Sequence, residues 1–292
     1  MKGTCLLASA IWFLASIATP ALAQFDGRTF VLSGGRYSGI PYLGRAVDIN
    51  NNGQVLDGDG RIYSGGTYIY PSKPGEYEGF NDSGLVVGSY QVGFDRVGFI
   101  DNGGVYTNFS FPGSTFTAAY GVNNAGQIVG GVENASGDVG FLYSGGVFTL
   151  LSVPGSIFTE AFGINDAQQI VGGYEDSTGA GGSFLYSGGV YTTFNAPGSS
   201  NTQATGINNL GQIVGTANNE GFLYSGGKFS VIDVPQSQFT FATGINDAGT
   251  VVGYFDGPGV IPEPGEWALL LVGFGGLGTA MRCRRRLVPT SS

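Results

Sequence analysis

The 292-residue chain contains no histidine, and its two cysteines, Cys5 and Cys283, lie near the ends. These absences exclude a Ser-His-Asp triad, a histidine-assisted cysteine nucleophile and a histidine-bearing metal cluster. The central region has no thiol at all. It can form neither a disulfide nor a thiolate zinc site, so its fold must stand on packing alone. Charged residues are scarce at 11%, and basic ones scarcer still, 12 against 21 acids. Four of the 12 are Arg282, Arg284, Arg285 and Arg286, and Lys2 is a fifth outside the body. Residues 24–264 therefore hold 7 basic and 20 acidic residues, a net charge of −13. Such a body repels nucleic acid and anionic membranes. No stretch of it shows a sustained helical period.

Glycine, by contrast, is abundant at 54 residues. It is periodic and interleaved with Ile, Val, Phe and Tyr, which reads as turns in a packed β protein rather than disorder. One phrase occurs six times, most cleanly as Gly206-Ile207-Asn208-Asn209-Leu210-Gly211-Gln212-Ile213-Val214-Gly215. Its marker asparagines are Asn50, Asn81, Asn123, Asn165, Asn208 and Asn246, spaced by 31, 42, 42, 43 and 38 residues. A repeat of about 42 residues is the length of one four-stranded propeller blade. The phrase reads as a hairpin whose Asn and Gly serve turn chemistry. A second hairpin alternates with it, built on Gly34-Gly35, Gly65-Gly66, Gly103-Gly104, Gly145-Gly146, Gly188-Gly189 and Gly226-Gly227. Gly-Gly supplies the positive φ that a tight hairpin turn needs. Pro112, Pro154, Pro197 and Pro235 follow four of these hairpins and stop the last strand.

The two kinds of hairpin are offset by half a unit. The body starts with a Gly-Gly hairpin that has no phrase before it, and it ends with a phrase, 244–253, that has no hairpin after it. A ring explains the offset: the last phrase pairs with the first hairpin near 30–40, and closure removes the exposed edges of an open stack. An open solenoid has shorter coils and needs caps, which are not found. The expected fold is all-β, a six-bladed β-propeller over 24–255 closed by strands from both ends.

The ends read as addresses. Residues 1–23 form a signal peptide, with Lys2, an apolar core from Leu6 to Ile17, and small residues Ala21 and Ala23 before a cleavage site at Gln24. Residues 256–264 are a linker ending in Pro262-Glu263-Pro264. Residues 265–286 read as a transmembrane helix with a basic end, and 287–292 as a short tail. Trp267 marks the interface, Leu269, Leu270, Leu271 and Phe274 the apolar span, and Arg282, Arg284, Arg285 and Arg286 the cytoplasmic side.

The order Pro262-Glu263-Pro264, Trp267-Ala268-Leu269-Leu270-Leu271, Gly273-Phe274-Gly275-Gly276 and the arginines resembles the PEP-CTERM sorting signal of Gram-negative bacteria. That pattern is also known as an ice-binding-protein C-terminal domain, a label that describes the tail and not the body. The resemblance implies an exosortase-type processing enzyme as partner, transient anchoring in the inner membrane through the C-terminal helix, and a final place at the cell surface or in the extracellular matrix of an exopolysaccharide-producing, biofilm-forming bacterium. The body, through Gly163-Ile164-Asn165-Asp166-Ala167 and hairpins such as Phe141-Leu142-Tyr143-Ser144-Gly145-Gly146, resembles the HAF family of extracellular repeats. That likeness supports the fold and brings no activity. The first two units depart from the pattern, with Asp48 in place of the leading Gly and Phe80 in place of Ile.

No residue is assigned to catalysis, and no cofactor or metal is expected. Asp166 and Asp247 recur in the phrase turn, where Asx-turn duty accounts for them. Asp57-Gly58-Asp59-Gly60 offers oxygens of the kind Ca²⁺ takes, but Arg61 follows and the full loop pattern is missing, so it reads as a turn. Tyr143, Tyr186 and Tyr224 are expected to pack between units rather than stack on sugars. Two functions are compatible with these features. The first is a non-catalytic surface module that contacts glycan or exopolysaccharide. The second is a carboxylate-based glycan hydrolase or lyase on a propeller. Two carboxylates converging in the central channel would favour the second.

Overall fold

The structure is a computed structural model that describes residues 29–71, 73–134, 137–199 and 201–257. The signal peptide, the Pro262-Glu263-Pro264 motif and the expected anchor helix lie outside the described residues. Among the described residues there is no helix, and so none long and apolar enough to cross a membrane.

Twenty-four strands run in order. They are β1 (Thr29–Ser33), β2 (Arg36–Gly39), β3 (Ala46–Ile49), β4 (Val55–Asp57), β5 (Ile62–Ser64), β6 (Thr67–Ile69), β7 (Glu76–Phe80) and β8 (Leu85–Val92). Next come β9 (Asp95–Asn102), β10 (Val105–Phe109), β11 (Thr117–Val122), β12 (Ile128–Asn134), β13 (Gly137–Ser144), β14 (Val147–Leu151), β15 (Ser156–Ile164) and β16 (Ile170–Asp176). The last are β17 (Gly181–Ser187), β18 (Val190–Phe194), β19 (Thr202–Ile207), β20 (Ile213–Ala217), β21 (Glu220–Ser225), β22 (Lys228–Ile232), β23 (Phe239–Ile245) and β24 (Val251–Asp256).

They form antiparallel four-strand meanders, the arrangement of a β-propeller. β3–β6, β7–β10 and β19–β22 are separate sheets. β11–β14 and β15–β18 are joined into one eight-stranded sheet by a single parallel bridge, Asp138 to Phe158, a departure from the expectation of separate units. The remaining sheet, β2-β1-β24-β23, is made from both ends of the chain. β1 pairs antiparallel with β24, from Thr29 opposite Tyr254 to Leu32 opposite Val251. The half-unit offset is thus a seam that joins the first and last described strands.

Local chemistry explains the strands. Each Gly-Gly turn holds both glycines at positive φ, for instance 57° and 87° at Gly145 and Gly146. That twist matches the flanking strands of a tight hairpin. Every innermost strand (β3, β7, β11, β15, β19 and β23) carries a register shift three residues before its marker asparagine. The next residue is glycine in five of the six. A Cβ at Gly121 would lie 2.6 Å from the Phe162 carbonyl oxygen, so neighbouring inner strands approach to a distance that only glycine allows.

The core is repeated in the same way. Phe30, Phe99, Phe141, Phe184 and Phe222 are fully or almost fully buried, one in each meander except β3–β6, where Arg61 takes the position. Phe30 sits at the seam beside Ala242, Ile245 and Val251. Phe30→Ala is expected to destabilise the protein by about 3–5 kcal/mol. Phe94→Ala, at a fully exposed hairpin tip, should change stability by less than about 0.5 kcal/mol. Denaturant unfolding monitored by circular dichroism checks both.

Candidate functional site: the central channel

The six marker asparagines are brought together around one axis. All are buried, with exposures of 3–6%. Each side chain does two jobs. Its Oδ1 accepts N–H groups of its own turn; in the Asn208 turn the donors are Leu210 (3.1 Å) and Gln212 (3.0 Å). Its Nδ2 donates to the backbone carbonyl of the next asparagine, from Asn50 to Asn81, then Asn123, Asn165, Asn208 and Asn246, and from Asn246 back to Asn50, all at 3.0–3.2 Å. In four turns Nδ2 also donates to the glutamine four residues on, Gln54, Gln127, Gln169 or Gln212. The turns need a left-handed residue, which glycine supplies at Gly211 with φ 73°.

A second ring lies outside the first. The residue after each marker alternates: Asn51, Asp82, Asn124, Asp166, Asn209, Asp247. Asn51 donates from N and Nδ2 to the two oxygens of Asp82 (2.7 and 3.0 Å). Asp82 N–H donates to Asn124 Oδ1 (3.0 Å). Asn124 donates in turn to Asp166 (2.8 and 2.9 Å), and Asn209 to Asp247 (2.8 and 2.9 Å). Asp166 N–H donates to Asn209 Oδ1, and Asp247 N–H to Asn51 Oδ1, which completes the circuit. The carboxylates of Asp82 and Asp166 accept amide donors from both neighbouring turns, and that of Asp247 from Asn209.

Inward of these rings, Ile49, Phe80, Val122, Ile164, Ile207 and Ile245 form an apolar collar, each at most 8% exposed. The cavity on the crown side measures about 80 Å³ and the one on the far side about 50 Å³. Each has room for a few waters and none for a sugar ring. The far cavity is lined by the six residues at the register shifts, Val47, Glu78, Tyr120, Phe162, Thr205 and Thr243. A bulge turns a side chain off the regular alternation, and here it aims all six at the axis.

Two acids line this far section. Asp48 stands where the other five inner strands have glycine. Its carboxylate spans two strands, accepting N–H from Ile49 (2.8 Å) and Phe80 (3.1 Å). Burial pushes its pKa up to about 7, against the pull of those two donors. Burial also raises Glu78 to about 7, and the charge of Glu76 adds to the effect. Glu76 itself is held low by Arg96, whose two NH groups reach it at 2.5 and 2.8 Å. The Tyr120 hydroxyl donates to Glu160 Oε1 (3.1 Å), and burial raises both groups.

Other expected positions are placed as follows. Asp57 is fully buried and accepts from Gly44 N (2.9 Å), Arg61 N (2.8 Å) and Arg61 Nε (2.7 Å), so its oxygens serve a structural ion pair. Among the described residues no group of three or more Cys, Asp or Glu could hold a metal ion. Tyr143 stacks on Phe109 (4.8 Å between centroids) and Tyr224 on Phe194 (5.3 Å), each across two meanders. The sequence reading missed Thr117, Thr159, Thr202 and Thr240. Their Oγ1 atoms accept the N–H of Phe111, Val153, Ala196 and Val234 and lock the connection between meanders. The signal was present, a threonine five residues after each of Pro112, Pro154, Pro197 and Pro235.

No protein-family model matches the chain, and no curated protein matches it. Among solved structures it is similar to an inactive virginiamycin B lyase from Staphylococcus aureus with quinupristin (10% identity, 77% of this chain and 98% of that one, TM-score 0.41). It is similar to a protein described as a gluconolactonase (11%, 80% and 91%, TM-score 0.49). A third is the Aleuria aurantia lectin in complex with Fucα1-6GlcNAc (12%, 69% and 82%, TM-score 0.41).

The channel acids give a pH signature. A carboxyl whose folded pKa is raised keeps its proton where the unfolded chain has released it. Its contribution is full below about pH 4 and is lost as pH rises through about 7. Glu78→Gln removes that loss, so its stability relative to the native chain should rise between pH 5 and 8. Thermal unfolding across that range measures it, and a difference independent of pH would show that Glu78 ionises normally.

Proposed function

We propose that the protein is an exported, non-catalytic module of the bacterial cell surface or extracellular matrix, with each meander one blade of a six-bladed propeller. The observation that carries this reading is the plugged axis. The apolar collar and the cavities of about 80 and 50 Å³ leave no place in the channel for a substrate. The marker asparagines, Thr205 and Thr243 spend their side chains on links to the next turn or strand, which suits a rigid, disulfide-free scaffold. The net negative charge of the body argues against nucleic acid and favours neutral partners, with extracellular polysaccharide the proposed contact.

Delivery rests on the ends of the sequence. The signal peptide carries the chain across the inner membrane, the segment from Trp267 to Arg286 holds it there, and an exosortase-type enzyme processes it near Pro262-Glu263-Pro264. Replacing these three residues with alanine in a host with an exosortase should leave a longer, membrane-bound form, detected by immunoblotting of membrane and medium fractions. Unchanged processing would refute the sorting role.

Asp48 and Glu78 favour a second reading. They face one cavity and both have pKa values raised to about 7, and a glycan hydrolase needs one such carboxyl as its general acid beside a second that is ionised. The cavity size opposes it. The native chain should release no reducing ends from polysaccharide; turnover abolished by Glu78→Gln would establish the enzyme instead.

A further inference from the structure

A larger cavity lies outside the channel. It measures about 460 Å³ and lies between the β3–β6 and β7–β10 sheets. Its position follows from a repeated contact. At the other junctions, the last residue of one unit's outer hairpin shares an apolar cluster with a large side chain of the next unit. The pairs are Phe109 with Tyr143, Leu151 with Tyr186, Phe194 with Tyr224, Ile232 with Leu32 and Ile40 with Tyr63. Aligned on the Pro-Gly stop and the Gly-Gly turn, the same two positions at the sixth junction are Pro71 and Asp101. One half is reduced to a small proline ring and the other is a carboxylate, and the cavity occupies the space the larger pair fills elsewhere. The outer strands here are also the shortest, β5 and β6 having three residues each.

The vacated space is a shaped groove. Its floor is Ile62, Tyr77, Phe80 and Val86. Tyr77 is fixed, with its hydroxyl on the Lys73 carbonyl (2.6 Å) and the Tyr106 hydroxyl (2.8 Å). The rim carries Ile69 and Tyr70, which are 53% and 70% exposed. Asp101 is on the wall, oriented by the Gly104 N–H on its Oδ1 (2.7 Å). That bond uses one of the roughly four acceptor sites of a carboxylate. Gln54 adds an amide at the edge, and no basic residue lines the groove.

We propose that this groove binds a neutral pyranose ring of a glycan. The apolar face of the sugar lies against Tyr70 and Ile69 at the rim and the half-buried Ile62 below them, and its hydroxyls donate to Asp101. The lone carboxylate and the absence of a cation select against uronates and sulfated sugars. The inference rests on the glycan-contacting reading above and assigns its site.

Saturation-transfer NMR and titration of the full chain test it, with methyl glycosides of glucose, galactose, mannose and fucose as probes and glucuronate as the anionic comparison. At least one neutral glycoside should bind and glucuronate should not. The variant Pro71→Phe/Asp101→Tyr restores the pair found at the other junctions. It should abolish binding while leaving the thermal midpoint equal or higher. Tyr70→Ala, at an exposed site that folding tolerates, should weaken binding about tenfold. Sugar binding that survives the filled groove would overturn this site and leave the glycan reading standing. Preference for glucuronate would overturn the neutral class. Failure of every glycoside to bind the native chain would overturn both.

Discussion

The structure depends on a primary amide that donates in one direction and accepts in the other. Each marker asparagine closes its own turn with Oδ1 and holds the next turn's carbonyl with Nδ2. Asparagine alone among small side chains offers an acceptor and two donors at this reach. Aspartate would set a carboxylate against a carbonyl, and serine would be too short. Because the groups are buried, an unmade bond here costs more than an average one contributes, about 1–3 kcal/mol for each orphaned group. Six such links in a closed circuit make the position of any one turn depend on its two neighbours.

The outer crown adds a parity condition. Alternating Asn and Asp match amide donors to carboxylates only when the number of turns is even; in an odd ring two like residues would meet. Glycine and the bulges then set the bore. Close approach at positions such as Gly121 draws the inner strands together, and the register shifts fill what remains with six side chains. A channel made this way is a structural axle. Its acids, Asp48 and Glu78, are where the repeat is broken, and their raised pKa values follow from burial in that narrow bore.

The departures from the repeat are grouped in space. Asp48, Arg61, Pro71, Tyr77, Phe80 and Asp101 all belong to the first two complete units, and several meet at the junction that holds the cavity of about 460 Å³. Arg61 stands where other units bury phenylalanine, and Asp57 and Asp59 compensate its charge. Tyr77 stands where the others have alanine, packing on Leu56 of the neighbouring unit and edge-on to Phe99 of its own. A repeat protein becomes specific where its copies differ, because identical junctions are all filled alike.

The sequence by itself determined the strand order, both kinds of hairpin and the seam. These follow from local chemistry: Gly-Gly imposes positive φ, Pro ends a ladder, and the half-unit offset leaves one arrangement that pairs every hairpin. It also carried the alternation of Asn and Asp and the threonine after each proline, although neither acquires a meaning until the turns are seen side by side. Tertiary structure decided the rest. Only the closed ring shows that Asn208 speaks to Asn246, that the residue at each bulge enters the channel, and that the channel is too narrow for a substrate. Pro71 and Asp101 are 30 residues apart and unremarked in the chain. They become opposite walls of a groove because packing between units is a contact between two sequences, which neither one reveals alone.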